Sequence, residues 1–428
     1  MGQGVLTAGF HRVDGALHCE GVPFDRIARA TGTPVYVYSA AVLRERFARL
    51  DEMLAPVPHH IHYTLKANAN RAVLRLLRSS GAGAEVVSGG ELHRARRAGF
   101  TPDEIVFGGV GKTDDELREA LAARVQLINC ESAAEVRRLD ELARELGVVA
   151  PIGIRVNPEL KLRSGTHEYI RTGEKKAKFG VAYDEAVTIA RALPGMPNVR
   201  LFGLDMHLGS QLSRIEPYRE GTERLVALCR ELRAMGVDTL RYLDVGGGLG
   251  VRYDTEQMPD LAKFARLVLP LVKETGLTLL MEPGRFIVGN AGALLATVLY
   301  RKESGGKQYV ITDTGMTELL RPSHYGAFHR IEAVREREGT ITADVVGPVC
   351  ESGDFLALDR ELSDVQPGDL LAVHDVGAYG YVMASNYNAR RRACEVLVDG
   401  DRFAVVTERE TYEDLMRLEV DEPTWRNA

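Results

Sequence analysis

The chain has 428 residues, of which 45% are hydrophobic and 27% charged, a composition typical of a soluble globular protein with more than one domain. Its 54 basic and 60 acidic residues are interspersed and give a net charge of −6, which argues against nucleic acid and anionic membrane as partners. No apolar run reaches the roughly 20 residues of a membrane span, and the N-terminus lacks the basic start and apolar core of an export signal.

The number and spacing of the cysteines indicate the cellular compartment and whether disulfides or a cysteine metal site are expected. The chain carries Cys19, Cys130, Cys229, Cys350 and Cys394. Their number is odd, they are widely spread and no two form a C-x-x-C pair, so the sequence predicts neither a disulfide framework nor a metal site. The pattern is typical of a protein that works in the reducing cytoplasm.

The N-terminal segment is strand-like. ALHCEGVPF (16–24) and TPVYVYS (33–39) are short apolar stretches without helical periodicity. They precede the regular repeat described next, so we assign residues 1–37 to the same domain as the C-terminal strands.

Eight short apolar runs then alternate with amphipathic stretches. The runs are HIHYTLK (60–66), GAEVVS (83–88), EIVFGG (104–109), VQLINC (125–130), PIGIRVNP (151–158), LFGLDMHLG (201–209), LRYLDVGGG (240–248) and LTLLMEPG (277–284). A doubly wound sheet would alternate too, but eight regular units over roughly 250 residues favour a closed α/β structure, a TIM (β/α)8 barrel. We place this domain at residues 38–288.

Local signals mark the ends of the intervening helices. Three Ser/Thr-x-x-Glu capping boxes are predicted to begin helices, and glycines are predicted to end others. The boxes are Ser88 with Glu91, Thr113 with Glu116 and Ser132 with Glu135, and the glycines are Gly81, Gly147 and Gly236.

The pattern changes after residue 288. ALLATVLYRKES, KQYVITDTG, TITADVVGPVCES, DLLAVHDVGAYG and CEVLVDGDRFAVVTERE predict strands joined by turns, with few long helices. Residues 289–428, together with 1–37, are therefore expected to form a mainly β domain of the β-sandwich or β-barrel type.

Polar residues collect where the barrel strands are predicted to end. They are Lys66, Glu85, Ser88, Asn157, His207, Ser210, Gly246, Gly247, Gly248, Glu282 and Arg285. Each alone is more often structural than catalytic, but the active site of a TIM barrel is built at the carboxyl ends of its strands. Because all of these residues face that end, the sequence predicts one site there.

The chemistry of this set suggests a cofactor. The backbone of DVGGGLG allows close approach by a phosphate, and it lacks the context of a dinucleotide-binding motif. Lys66 is expected to have a lowered pKa among its apolar neighbours, so that its amine condenses with an aldehyde. Glu282 could keep a heteroaromatic nitrogen protonated. Phosphate, aldehyde and ring nitrogen together predict pyridoxal 5′-phosphate, with Lys66 as the Schiff-base lysine.

A family resemblance supports this interpretation. YTLKANAN, EVVSGGEL, HEYIRTGEKKAKFGV, HLGSQL, DVGGGLG, MEPGRFIVGNAG, VVGPVCESGD and GAYGYVMASNYNARRR occur in order along nearly the whole chain. Together they resemble the diaminopimelate decarboxylases, pyridoxal-phosphate enzymes that combine a barrel with a β domain. The wider group includes ornithine, arginine and carboxynorspermidine decarboxylases and, more distantly, alanine racemase.

The resemblance implies roles for the barrel residues and for one residue beyond the barrel. Lys66 would form the covalent link to the cofactor, His207 would stack on its ring and take part in catalysis, and Glu282 would pair with its nitrogen. The remaining predicted cofactor contacts are Ser210, Gly246, Gly247, Gly248, Gly284, Arg285 and Tyr379. Arg285 and Tyr379 are also expected to contact the substrate.

It implies a second set of roles in the β domain. Arg321 and Tyr325 would grip the distal end of the substrate, and Glu351 would recognise its ammonium group. Cys350 would be the catalytic proton donor. In such enzymes the segment with Cys350 and Glu351 comes from the other subunit, so we expect a homodimer with shared active sites.

The implied reaction converts meso-2,6-diaminoheptanedioate to L-lysine and CO2, the last step of lysine biosynthesis by the diaminopimelate route. Three alternatives remain open. A related decarboxylase of ornithine, arginine or carboxynorspermidine is the nearest. A racemase would need acid–base groups on both faces of the carbanion, and a regulatory protein without catalysis would not need Lys66 and Cys350.

Overall fold

The computed structural model describes residues 9–160 and 177–426. It divides into two compact units. The barrel unit comprises residues 40–291 and 377–379, and the β unit comprises the segments up to residue 39, 292–376 and from residue 380 onward.

Strands and helices are numbered in chain order. The strands are β1 (Phe10–Val13), β2 (Ala16–Cys19), β3 (Val22–Pro23), β4 (Val35–Ser39), β5 (His59–Thr64), β6 (Gly83–Val86), β7 (Ile105–Phe107), β8 (Leu127–Cys130), β9 (Ala150–Arg155), β10 (Val199–Asp205), β11 (Tyr242–Asp244), β12 (Thr278–Met281), β13 (Gly292–Ser304), β14 (Lys307–Thr312), β15 (Ile331–Ala333), β16 (Thr340–Val346), β17 (Phe355–Ser363), β18 (Leu370–His374), β19 (Cys394–Asp399) and β20 (Arg402–Thr407). The α-helices are α1 (Phe24–Thr31), α2 (Ala40–Leu54), α3 (Arg71–Ser79), α4 (Gly89–Ala98), α5 (Asp114–Ala123), α6 (Ala133–Leu146), α7 (Tyr183–Ala192), α8 (Glu216–Ala234), α9 (Leu261–Thr275), α10 (Arg285–Val288), α11 (Arg321–Tyr325) and α12 (Tyr412–Met416).

Strands β5 to β12 form a closed parallel barrel in sequence order. The ring closes where β12 pairs with β5 and Met281 lies opposite Ile61. Parallel strands in such a barrel are covered on both faces, which is why β6, β7 and β8 are buried along their whole length and are apolar runs in the sequence. Each strand is followed by one of the helices α3 to α10, so the predicted (β/α)8 barrel is confirmed.

The predicted capping boxes differ in detail. At α5 both reciprocal bonds of Thr113 and Glu116 are present. At α4 the Ser88 hydroxyl accepts from the Glu91 amide, but the Glu91 carboxylate accepts from the amide of Val87. The same displacement by one residue occurs at α6, where the Glu135 carboxylate accepts from Glu131. In these two boxes the bond to the serine is present as predicted, but the glutamate accepts from the residue before the cap.

The β unit is built on the long strand β13. It pairs with β4, β14 and β18, and the main path of the sheet runs β17-β16-β14-β13-β4-β19-β20. The N-terminal strands β1, β2 and β3 form a smaller antiparallel sheet. Residues of β1, β2, β4, β13 and β19 share one apolar core, so the prediction that the N-terminal strands belong with the C-terminal strands is confirmed.

None of the described helices has the length and apolar character needed to cross a membrane.

Candidate active site

Lys66 lies two residues beyond the end of β5, at the carboxyl end of the barrel strands. Its Nζ donates to Glu85 Oε2 at 2.9 Å, and Thr64 Oγ1 donates to the same oxygen. Glu85 is buried on β6, the strand next to β5. Two adjacent strands therefore present an ammonium and a carboxylate as an ion pair at the mouth of the barrel.

The pKa of Lys66 is raised above that of an ordinary lysine. Burial alone would lower the pKa of this amine, as the sequence predicted, but the negative charges of Glu85 and Glu282 raise it by more, and Tyr379 adds to the effect. The prediction of a lowered pKa is therefore wrong, because the buried neighbours of Lys66 include carboxylates as well as apolar side chains. Lys66 must lose a proton before its amine can act as a nucleophile.

Three buried carboxyl groups meet beside this pair. Oxygens of Asp205, Asp244 and Glu282 all lie within 4.8 Å of one another. Burial is the main cause that raises the pKa of each, to about 6 for Asp244, and neighbouring carboxylates raise the pKa of Asp205 and Glu282 further. Carboxylates this close cannot all ionise at once, so the cluster keeps protons to a higher pH than exposed carboxyl groups do.

Glu282 fits the predicted role at a cofactor nitrogen. Its Oε1 is buried and has no hydrogen-bond partner among the described residues. A buried carboxylate oxygen without a donor is costly, and the protonated nitrogen of a pyridine ring would satisfy it. Gly284, two residues further on, lets the chain pass close to β5, since a Cβ there would lie 2.4 Å from Thr64 Cγ2.

The glycine loop after β11 adopts a backbone that side chains would block. Gly246 has φ +67°, and a Cβ on it would lie 2.4 Å from the carbonyl oxygen of Met206. Its amide donates to Asp244 Oδ1 at 2.8 Å, and the amide of Gly247 donates to His207 Nδ1 at 3.3 Å. Two of the three predicted phosphate-binding amides thus already have acceptors inside the protein. Gly246 shapes the loop rather than offering its amide.

His207 follows β10 and is half-buried. Burial lowers its pKa, and the positive charges of Lys66 and Arg155 lower it further. The ring is therefore neutral at physiological pH, with Nδ1 as the acceptor of the Gly247 amide. A neutral imidazole is suited to stacking against an aromatic cofactor.

Arg285 is the centre of a polar cluster in the barrel unit. Its Nε and Nη2 donate to Ser210 Oγ at 3.2 and 3.0 Å, and its Nη1 donates to the hydroxyl of Tyr253 at 2.6 Å. The guanidinium also lies over the ring of Tyr379, 4.8 Å from the centroid. The Tyr379 amide donates to the carbonyl of Ala67 at 2.9 Å, which holds this tyrosine beside the Lys66 segment. The cluster brings a cation and several hydroxyls together, a set that can bind phosphate.

In the β unit, Cys350 lies in the loop after β16 and is exposed. Its amide donates to Asn388 Oδ1 at 3.0 Å. The carboxylate of Asp354 accepts from the amides of Val349 and Met316 at 2.6 and 2.5 Å, which fixes the shape of the loop. Glu351, next to Cys350, is also exposed, so both predicted reactive groups are presented on the surface of the single chain.

Arg321 begins the short helix α11, and Tyr325 ends it. Arg321 is buried, and its Nη1 lies 2.9 Å from Nε2 of His329. Tyr325 is half-buried and its ring makes an edge contact with His324. One turn of helix thus presents both predicted substrate contacts of this segment.

The barrel unit gathers the predicted cofactor residues in one place, whereas Cys350, Glu351, Arg321 and Tyr325 all belong to the β unit. Two members of the strand-end set serve the backbone instead. Ser88 caps α4, and Asn157 Oδ1 accepts from the amide of Glu159.

Four residues in these clusters were not predicted from the sequence, namely Tyr253, Asp205, Asp244 and His329. Asp205 and Asp244 are the last residues of their strands, and a polar residue at a strand end is the sequence feature by which both could have been predicted. Tyr253 and His329 stand in loops without a comparable signal.

The sequence matches a known family model. Residues 40–289 match the model described as pyridoxal-dependent decarboxylase, pyridoxal binding domain. The diaminopimelate decarboxylase of Pseudomonas aeruginosa is 46% identical over 94% of this chain and 96% of its own length. That of Neisseria meningitidis serogroup B is 44% identical over 94% of this chain and 97% of its own. The chain belongs to the diaminopimelate decarboxylase family.

Solved structures agree with the family assignment. The diaminopimelate decarboxylase of Helicobacter pylori in complex with L-lysine is 39% identical, covers 92% of this chain and 99% of its own, and has a TM-score of 0.89. The enzyme of M. jannaschii in complex with L-lysine is 35% identical, covers 97% of this chain and 98% of its own, and has a TM-score of 0.92. As a member of this family, the chain is a pyridoxal-dependent carboxy-lyase.

Proposed function

We propose that this enzyme decarboxylates meso-2,6-diaminoheptanedioate to L-lysine and CO2, the last step of lysine biosynthesis by the diaminopimelate route, with pyridoxal 5′-phosphate as its cofactor. The observation that carries the proposal is the position of Lys66 at the barrel mouth, close enough to Glu282 for that carboxylate to raise its pKa. Lys66 offers the covalent link to the cofactor, and Glu282 offers a buried hydrogen-bond acceptor for its ring nitrogen.

The cofactor domain is proposed to comprise residues 38–288, and the β domain residues 1–37 and 289–428. The match of residues 40–289 to the pyridoxal binding domain supports the first assignment. When bound, the cofactor would supply an aldehyde for the covalent link and a protonated ring that takes up the electrons released with CO2.

Each barrel residue has a proposed task. Glu85 orients Lys66 Nζ through the 2.9 Å ion pair, and Glu282 Oε1 would accept a hydrogen bond from the protonated ring nitrogen. His207, neutral because of its lowered pKa, would stack against the ring. Together these side chains would hold the cofactor ring and favour its protonated form.

The phosphate is proposed to bind at the Arg285 cluster. Arg285 and Ser210 offer donors there, and the ring of Tyr379 lies against the guanidinium. Gly247 and Gly248 let the neighbouring loop pack against carbonyl oxygens of the protein where a side chain would not fit. Because Arg285 belongs to the proposed phosphate site, we propose that it binds the phosphate first and contacts the substrate only in addition.

The distal end of the substrate carries a carboxylate and an ammonium group. We propose that Arg321 binds the carboxylate, with Tyr325 beside it, and that Glu351 binds the ammonium. Ornithine and arginine have no distal carboxylate, so a buried arginine at this position supports the proposed substrate over the related basic amino acids.

Cys350 is proposed to deliver the proton that replaces the lost carboxylate, in an active site that two subunits of a homodimer share. Exposure of Cys350 and Glu351 on the single chain supports this arrangement. The thiol must stay reduced to hold a proton, which supports a cytoplasmic location.

The test is a substrate comparison. The protein, loaded with pyridoxal phosphate, is incubated separately with meso-diaminopimelate, ornithine and arginine, and CO2 and the amine product are both quantified. We expect CO2 and L-lysine in equal amounts from meso-diaminopimelate alone. Release of CO2 from ornithine or arginine at a comparable rate would instead assign the enzyme to the related decarboxylases.

A further inference from the structure

The guanidinium of Arg321 is held by an imidazole. Arg321 Nη1 lies 2.9 Å from His329 Nε2, and His329 Nδ1 lies 2.9 Å from the carbonyl oxygen of His374. Both bonds are buried, and the ring of His329 is completely enclosed. These two partners determine which ring nitrogen of His329 carries the proton.

That arrangement follows from the chemistry of the partners. A carbonyl oxygen accepts hydrogen bonds and cannot donate, so Nδ1 of His329 must carry the proton. A guanidinium donates and cannot accept, so Nε2 must carry the lone pair. His329 is therefore the neutral Nδ1–H tautomer, and the bond orients Arg321 without adding a negative charge of its own.

The imidazole is itself held at its backbone. The carbonyl of His329 accepts from Arg360 Nη1 at 2.8 Å, and the carbonyl of the next residue, Arg330, accepts from the amide of His374 at 2.8 Å. The Arg360 guanidinium in turn lies over the ring of Phe328, 4.1 Å from the centroid. The backbone that carries the His329 imidazole is thus held by hydrogen bonds at residues 329 and 330.

We infer that His329 is a positioning residue for substrate specificity: its Nε2 fixes Arg321 in the orientation that receives the distal carboxylate of the substrate. The inference rests on the proposed role of Arg321. An acidic residue in place of His329 would give the guanidinium a permanent bidentate partner of its own, in competition with the substrate. A neutral acceptor such as His329 Nε2 orients the guanidinium without neutralising its charge.

Two substitutions separate positioning from simple packing. In His329→Asn, the amide nitrogen of the shorter side chain can replace Nδ1–H and donate to the His374 carbonyl, but the asparagine is too short to replace the acceptor at Nε2. In His329→Gln, the longer amide reaches the position of Nε2 and its oxygen can accept from Arg321, while the bond to His374 is lost. A packing role predicts that asparagine is at least as well tolerated as glutamine. A positioning role predicts the reverse for ligands with a distal carboxylate.

The measurements are KM and kcat for meso-diaminopimelate, and the Kd values of L-lysine and 1,5-diaminopentane. L-Lysine keeps the distal carboxylate and 1,5-diaminopentane lacks it. A hydrogen bond to a charged group corresponds to about 10- to 100-fold in binding. We expect His329→Asn to raise KM and the Kd of L-lysine by about that factor, with kcat within a few-fold and the Kd of 1,5-diaminopentane unchanged. His329→Gln should stay within a few-fold of the wild type for both ligands.

Equal losses for L-lysine and 1,5-diaminopentane, or a larger loss in His329→Gln than in His329→Asn, would overturn the inference. Arg321→Ala serves as the separate test of the role on which it rests. If Arg321→Ala leaves the Kd of L-lysine unchanged, the proposed role of Arg321 is wrong. If Arg321→Ala weakens L-lysine and His329→Asn does not, only the positioning role of His329 fails.

Discussion

Replacement of Glu85 by glutamine should increase the reactivity of Lys66 toward the cofactor at neutral pH. The carboxylate lies 2.9 Å from Lys66 Nζ and favours the ammonium form, which is not a nucleophile. Glutamine keeps an oxygen that can accept the hydrogen bond but removes the negative charge. The fraction of Lys66 present as free amine should therefore rise.

The separation of the two groups sets the magnitude. At 2.9 Å and an effective dielectric constant of about 20, the attraction is about 6 kcal/mol. The side chain of Lys66 is 32% exposed, so solvent screens part of it, and we take roughly 2 kcal/mol as the effective difference. That corresponds to about a 30-fold higher fraction of free amine.

The assay mixes apoprotein with pyridoxal phosphate and follows the visible absorbance of the Schiff base in a stopped-flow instrument from pH 6.5 to 9.5. Since the pKa of Lys66 is raised far above this range in the wild type, the free-amine fraction should rise with pH in both proteins, and the gain in Glu85→Gln should stay nearly constant from pH 6.5 to 9.5. Glu135→Gln is the control, because it removes the carboxylate partner of a different lysine of the barrel unit, 2.7 Å from Lys112 Nζ. Slower capture in Glu85→Gln than in the wild type at every pH would refute the reasoning.

Three further predictions concern the electron sink, the shared site and acid stability. Glu282→Gln should retain the cofactor, because the phosphate cluster is untouched. Its kcat should fall strongly, since an amide cannot hold a proton on the ring nitrogen. A near-normal kcat would mean that another group holds that proton. Lys66→Ala and Cys350→Ala should each be nearly inactive as homodimers, and random subunit exchange between them should restore about a quarter of wild-type activity, because half the dimers are mixed and each has one intact site. Verified exchange without recovery would exclude a site shared between subunits. Burial lowers the pKa of His62 to about 4 in the folded state. Below about pH 6.5 the unfolded state therefore binds more protons than the folded state. As the pH falls from about 6.5 to about 4, this residue should lower the free energy of unfolding by up to about 3 kcal/mol. His62→Gln should flatten urea-unfolding free energies between pH 7 and pH 4.5 relative to the wild type, and an unchanged slope would contradict this assignment.

The barrel could be predicted because its strands are covered on both faces. Such strands must be apolar along their length, as in Leu127–Cys130, and three of the helices that follow them begin at a capping residue recognisable in the sequence. The position of Lys66 at a strand end followed directly from this pattern. Predicted runs extended past the strands on the carboxyl side, as at LRYLDVGGG, where the strand ends at Asp244 and the loop continues.

What the sequence could not predict depends on register and on side-chain contacts between distant segments. The raised pKa of Lys66 requires Glu85, which is 19 residues away and becomes a neighbour only through the pairing of β5 with β6. The carboxyl cluster likewise joins three strand ends that are far apart in the chain. His329 carries no motif of its own, and its role follows from two distances that only the folded β unit defines.

The central claim is that Lys66 is the residue that binds the cofactor covalently, and borohydride reduction tests it most directly. The enzyme is loaded with pyridoxal phosphate, reduced with sodium borohydride, digested, and the labelled peptide is sequenced by mass spectrometry. We predict that the phosphopyridoxyl label lies on Lys66 in the segment YTLKANAN, with one label per chain. A label on any other lysine, with Lys66 unmodified, would contradict the account.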